Sequence, residues 1–352
     1  MRADPGPLSR PISVAEVDPL AAGTVPVAGD RNALFVDPRW LQCLSDAFGL
    51  RFSSLVVRRN RDHSSWLPFV AIDDLRGRRT TSLPFCDFVD TRIDPGHWQA
   101  LSTTLIDRGD PILMKTLADH PATADTRFVS EIEAVHHVIA TPDDLGDAFA
   151  GYASMTRRQI RRAENRGVGF RVSTDRADLA RFHRLHVHVR KARHRLLAQP
   201  YALFEAIGDR FFDHDAGWMV LGEIDGRVEG GCLVLRSGNR LHYKFSVSSP
   251  LARTSGLSHA AIHETMRLCR DLGVEGLDLG RSDFSDEGLI EFKRRFRPHE
   301  VELASHRHDP EPRRRPTVAG RVLPRLTDAA THERVPDTVT TFVGRHLYRY
   351  FA

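Results

Sequence analysis

Hydrophobic and polar positions alternate most clearly between Tyr243 and Phe296, and this stretch organises the rest of the chain. It predicts a strand (LHYKFSVSSP), an Arg/Ser/Gly turn, a helix, a short strand (VEGLDLGRS), a polar loop and a last short helix. Placed at 100° steps, Leu257, Ala261, Ile262, Thr265, Met266, Leu268, Cys269 and Leu272 share one half of the helix after Gly256. His259, His263, Arg267, Arg270 and Asp271 occupy the other half, and Gly273 stops the helix. A helix of this kind packs on a sheet and presents its N-terminal amides and positive dipole end to an anion.

Upstream, PISVAEV predicts an edge strand within a leader spanning residues 1–29. Asp37 as N-cap, Pro38 at the first helical position and Gly49 as stop define a helix. FSSLVVRRN, SWLPFVAIDDL and the aromatic-rich SLPFCDFVD follow as apolar segments, then a helix in WQALSTTLIDRG and strands in ILMKTL and AVHHVIA. Together these predict a mixed α/β domain over residues 30–150. Residues 151–167 form a basic junction helix, with Arg157, Arg158, Arg161, Arg162 and Arg166 on one half and Ile160 and Ala163 on the other. This face is either solvated or in contact with phosphate groups. Two helices and a three-stranded meander then follow, with hairpin turns at IDGR and SGNR, and lead into the organising stretch; the second domain spans 168–306. A Pro/Arg-rich tail, 307–352, ends in an aromatic helix expected to dock on the body.

With 352 residues the chain is long enough for two domains, and 41% hydrophobic and 27% charged residues are ordinary for a globular protein. No apolar run is long enough to span a bilayer, and the four scattered cysteines read as reduced, cytoplasmic thiols. A net charge of +4 permits a polyanionic partner without requiring one. Lys115, Lys191, Lys244 and Lys293 are the only lysines, so two of them inside the organising stretch stand out in an arginine-rich chain. His259 and His263 are four apart but lack a third ligand, so no metal is expected, and they read as a solvated pair. There is no nucleophile elbow or phosphate-binding loop of the NTPase kind.

The order strand, R-x-x-G-x-small turn, helix, strand resembles the core of the GNAT acyltransferases. With MTRRQIRRAENRGV, YKFSVSSP and GLDLGRSDFSDEGLIEFKRRF beside it, the chain is similar to the FemAB-like, BioF2-like (CelD-type) branch. That resemblance implies an α/β fold of mixed sheets with two tandem GNAT-like domains, and acyl transfer with an amine as the commonest acceptor. It implies acyl-CoA as co-substrate, its pyrophosphate on Arg253, Thr254, Ser255, Gly256, Leu257 and Ser258, where Ser258 replaces the family's glycine or alanine. No permanently bound cofactor is implied. Lys293 is the family's lysine facing the reacting centre, Tyr243 the candidate general acid, and Asp278 a base or an arginine's partner. Arg281 and Ser282 at a strand end, Lys244, Arg157 and Arg161 are the substrate-binding candidates. Tyr243 and Lys244 are adjacent on a strand, so both cannot line one cleft equally. The acceptor implied is a small molecule or cell-envelope precursor, although no lysine follows Trp40 as it does in the Fem ligases. Aminoacyl-tRNA is the alternative donor, and a non-catalytic nucleic-acid-binding or scaffold protein is the alternative outside enzymes.

Overall fold

Twelve strands form one continuous sheet, and its strand order carries a duplication. The computed structural model describes residues 12–21, 33–60, 63–89, 93–310 and 318–351. The N-terminal half contains β1 (Val14–Val17), α1 (Ala33–Val36), α2 (Pro38–Phe48), β2 (Ser53–Asn60), β3 (His63–Asp74), β4 (Gly77–Thr81), α3 (Pro95–Ile106), β5 (Ile112–Leu117) and β6 (Val129–Ala140). After α4 (Leu145–Gly151) and α5 (Ser154–Asn165) come β7 (Gly169–Ser173), α6 (Arg176–His194), α7 (Tyr201–Phe211), β8 (Gly217–Ile224), β9 (Arg227–Ser237) and β10 (Arg240–Ser248). The C-terminal half closes with α8 (Pro250–Ser255), α9 (Leu257–Asp271), β11 (Gly276–Asp283), α10 (Glu287–Arg294) and β12 (His299–His308). Helices α11 (Val318–Ala330) and α12 (Asp337–Leu347) follow.

The spatial order is β1-β2-β3-β4-β5-β12-β6-β11-β10-β9-β8-β7. Adding six to each strand of the first half reproduces the second half, read from the opposite edge. In both halves one parallel pair, β4 with β5 and β10 with β11, is joined through a crossover helix, α3 or α9. The last strand of each half is exchanged: β6 pairs with β11, and β12 pairs with β5. The two halves are thereby fused into a single sheet.

Strand alternation divides the core between the faces. Met219, Leu221, Leu233 and Leu235 join α2, α6 and α7 in one cluster that runs across both halves. Val220, Cys232 and Val234 join α5 and α9 on the opposite face, and Leu55, Leu67 and Phe69 pack on α3. Helix α2 begins and ends as expected, since Asp37 accepts from the Arg39 amide and Gly49 is left-handed at φ 67°. The IDGR hairpin turn also forms, with Asp225 and Gly226 both at positive φ.

The described residues of the apolar segment SLPFCDFVD run as a loop after the strand Gly77–Thr81, which pairs with β3. Two expectations are corrected. The turn expected over Arg253–Ser258 is the short helix α8, joined to α9 by left-handed Gly256. His259 and His263 are not a solvated pair, because His259 packs on Phe292 at 4.9 Å and His263 on Phe149 at 5.7 Å. Residues 1–11 and 22–29 of the expected leader, 30–32 at the start of the expected first domain, and 311–317 and 352 of the expected tail lie outside the described residues. The described remainder of the tail holds α11 and α12, and α12 contacts α6.

Candidate active site

β10 and β11 pair in parallel only at Arg240 with Gly276, Leu241 with Leu277 and His242 with Asp278, and then part. Two irregularities accompany the separation. β10 bulges against β9 between Tyr243 and Phe245, and β11 shifts register against β6 between Asp278 and Gly280. Bulges of this kind re-aim side chains and end strand pairing. Where the strands part, a cavity of about 590 Å³ opens between the two halves. The N-terminal half lines it with Trp40, Phe85, Cys86, Asp87 and Lys115; the C-terminal half contributes His186, Arg190, Lys244, Phe245, Arg281 and Ser282, and the tail adds Tyr348.

The bulge turns Lys244 towards the cavity face. Its ammonium sits 4.3 Å from the Phe35 ring centroid and 4.7 Å from that of Trp40, and it donates to the Phe85 carbonyl at 3.3 Å. Burial pulls this lysine below its ordinary range, and Asp87 opposes the pull. Phe85 itself holds a left-handed backbone at φ 57°, a strained conformation for a bulky residue. Tyr243 points to the other face, into the core around α9. Burial drives its hydroxyl well above the ordinary tyrosine range, so the structure separates Tyr243 from the cavity.

Lys293 is buried on α10, and its ammonium donates to the carbonyls of Gly280 at 3.0 Å and Arg281 at 2.9 Å. Gly280 is left-handed at φ 72°, and Asp87 accepts from the Arg281 amide at 2.9 Å. Lysine and aspartate together fix the end of β11, one from each half of the chain. Burial lowers the Lys293 ammonium to about 8, while Asp87 and Asp278 resist the fall. The head group of Lys293 is thus engaged by the backbone of the β11 end.

Asp278 has no arginine partner among the described residues. Its Oδ2 lies 3.1 Å from His136 Nε2 and 3.1 Å from His242 Nδ1, and its Oδ1 accepts from the Gly280 amide at 2.7 Å. Burial alone would raise this carboxyl, but the two imidazoles hold it well below the usual range. Arg281 is paired with Glu133 at 2.8 Å and with Asp283 at 2.6 Å. Ser282 is buried beside it, and its Oγ has no hydrogen-bond partner among the described residues.

The α8–α9 junction is tightly packed. A Cβ at Gly256 would lie 2.1 Å from the Gln159 carbonyl, so α5 rests directly on it. Ser255 and Leu257 are buried, Ser258 Oγ bonds Ser248 Oγ at 2.7 Å, and only Arg253 and Thr254 are exposed. Arg253 lies within electrostatic reach of His194, which lines the cavity. Arg157 donates to the carbonyls of Ala150 at 2.6 Å and Tyr152 at 2.7 Å, and Arg161 lies 5.5 Å over Phe149. Neither arginine lines the cavity. Asp87, Lys115, His136, His242 and Tyr348 were missed from sequence, because each reaches the site through a long-range contact.

Residues 150–294 match the family model described as an acetyltransferase (GNAT) domain. Solved structures with the same fold include FemX, at 14% identity and a TM-score of 0.60, covering 86% of this chain and 96% of that one. A tandem GNAT protein from the clavulanic acid biosynthesis pathway, crystallised without AcCoA, is 12% identical with a TM-score of 0.55, covering 86% of this chain and 100% of that one. L-PGS from Bacillus licheniformis is 13% identical with a TM-score of 0.53, covering 83% of this chain and 92% of that one. No curated protein matches significantly. Residues 150–294 thus carry a GNAT domain, and the sheet sets a half of like strand order beside it. The fold is similar to that of FemX and of the tandem GNAT protein, two halves of like topology joined in one sheet. No helix among the described residues is long and apolar enough to cross a membrane.

Proposed function

We propose that the protein is an N-acyltransferase that takes the acyl group from acyl-CoA and passes it to a small-molecule amine bound between the two halves. The observation that carries this reading is the separation of β10 from β11 after His242 and Asp278, which opens the cavity. From Tyr243 onward, the side of β10 that faces β11 has no strand partner among the described residues, leaving a backbone edge for the donor to lie against. The neutral acceptor amine attacks the thioester carbonyl, the tetrahedral oxyanion collapses, and CoA leaves as its thiol after taking up the amine's proton. Asp87 holds the acceptor as its ammonium, which gives one proton to solvent water before attack; the second proton is the one that CoA takes up. Ser282 and Lys244 supply donors near the developing oxyanion, and Lys293 keeps the Gly280–Arg281 ribbon in place.

The packed α8–α9 junction offers few free amides for a pyrophosphate. Arg190 and Arg253, both within electrostatic reach of His194 although Asp286 lies there too, support anion binding by side chains instead. The arginines of α5 lie away from the cavity, which leaves an aminoacyl-tRNA donor without its expected contact.

Calorimetric titration with acetyl-CoA and with CoA tests the donor. Wild type should bind at micromolar levels, and Arg253→Glu about ten-fold or more weaker, with the loss reduced at high salt. Absence of binding at millimolar acetyl-CoA would remove acyl-CoA as donor.

A further inference from the structure

Tyr348 reaches the cavity from outside the matched domain, which ends at residue 294. Its ring stacks on Phe85 at 5.3 Å and on Phe48 at 5.9 Å, both in the N-terminal half. Arg76 of that half donates to the Tyr350 carbonyl at 2.8 Å. The tail is also tied to α6 of the other half, where Lys191 donates to Asp337 Oδ1 at 2.9 Å and to the Val335 carbonyl. The tail therefore bridges the two halves at the cavity wall.

The wall on the side of the N-terminal half combines three kinds of surface: Trp40 and Phe85 are aromatic, Lys115 is cationic and Asp87 is a carboxylate, while Phe245 faces them from β10 and Arg190, Lys244, Arg281, Asp283 and Asp286 add charge of both signs. The wall of the N-terminal half matches a zwitterion with an apolar body: an ammonium for Asp87, a carboxylate for Lys115 and a side chain for the rings. We propose that the acceptor is an amine of amino-acid type with an apolar side chain, and that Tyr348 of the C-terminal tail determines its selection. This rests on the cavity being the acceptor site.

Calorimetry of the full chain with L-phenylalanine and with glycine tests both parts. The two probes share ammonium and carboxylate and differ in the ring, and their binding requires no acyl donor. Wild type should prefer phenylalanine about ten-fold or more; Tyr348→Ala should cut the preference below about three-fold, and Tyr348→Phe should keep it. A second readout is the thiol of Cys86, which lines the cavity while the chain's other cysteines are buried elsewhere. A disulfide reagent should reach it about ten-fold faster in folded Tyr348→Ala than in wild type. Unchanged preference together with unchanged labelling overturns the role of Tyr348. Wild type that binds neither probe at millimolar concentration overturns the amino-acid class. Both results are independent of acetyl-CoA binding, so failure of the donor reading is distinguished from failure of this one.

Discussion

Asp278 Oδ2 lies 3.1 Å from Nδ1 of His242 across the last residue pair that joins β10 to β11. One residue further along, the strands have separated and the cavity begins. His136 approaches the same oxygen from β6 at 3.1 Å, so three strands meet at one buried carboxylate. Its other oxygen holds the Gly280 amide at 2.7 Å, which sets the left-handed residue that Lys293 secures from above. The clasp ends the parallel pairing at a defined place and anchors the ribbon bearing Arg281 and Ser282.

Asp278→Asn should therefore cost about 3–5 kcal/mol of stability, the usual price of breaking a buried charged cluster. The carboxyl titrates well below its ordinary value in the folded protein. Its stabilisation is present above the unfolded value of about 3.9 and is lost as pH falls through the lower folded value. Calorimetric Tm measured from about pH 5 down to about pH 2 should fall more steeply in wild type than in Asp278→Asn. Parallel slopes would contradict the assignment.

Lys293 titrates in the opposite range. Its folded value, about 8, lies below the ordinary lysine value, so the folded protein binds fewer protons than the unfolded chain between them. This contribution is full above about 10.4 and is lost as pH falls through the folded value. Relative to Lys293→Met, wild type should gain up to about 3 kcal/mol between those limits, which denaturant titration at several pH values can measure. Loss of the tie to Gly280 and Arg281 should also lower the rate of acyl transfer about 100-fold, as misplacement of a reacting group does. A Lys293→Met protein with wild-type turnover would rule out the positioning role.

Gly256 is required by packing. At φ 89°, with the Gln159 carbonyl 2.1 Å from the place of a Cβ, even alanine forces α5 away from α9. Gly256→Ala should lose about 2–4 kcal/mol, combining left-handed strain with overpacking, whether or not a donor binds. Thermal unfolding without ligand checks this. A variant as stable as wild type would mean that α5 does not rest on the junction. For the same reason, substitution of Gly256 cannot isolate donor binding, whereas Arg253 is exposed and can.

What was legible in the sequence was local. Asp37, Pro38 and Gly49 bounded α2, Asp225 and Gly226 marked a hairpin, and the period after Gly256 described α9. The cavity was not legible because its walls are assembled by long-range pairing. Lys244 and Ser282 were singled out on one half, but Asp87 and Lys115 come from a loop and a strand that meet them only after β6 and β12 exchange places. His136 carries no signal within AVHHVIA, where it reads as one polar position in an apolar strand. Its meaning comes from Asp278, a neighbour in the sheet and distant in sequence. The apolar content of SLPFCDFVD marks it as buried without saying how, and it serves a loop that delivers Phe85, Cys86 and Asp87 to the cavity.

The arginine face of α5 provides the last test, because structure and charge pattern point to different outcomes. If charge alone recruited a polyanionic donor, removing Arg158 and Arg162 would weaken its binding and reduce the salt dependence. Both side chains are exposed, neither lines the cavity, and α5 packs on α8 and α9 on the opposite face of the sheet. The double variant Arg158→Ala, Arg162→Ala should therefore bind acetyl-CoA within about 0.5 kcal/mol of wild type and unfold at nearly the same temperature. Arg157→Ala should behave differently and lose about 1–3 kcal/mol of stability, because its guanidinium satisfies the carbonyls of Ala150 and Tyr152 where α4 leads into α5. Calorimetry and thermal unfolding on the same two proteins separate these effects. Weaker acetyl-CoA binding in the double variant would show that the donor's phosphates lie along α5.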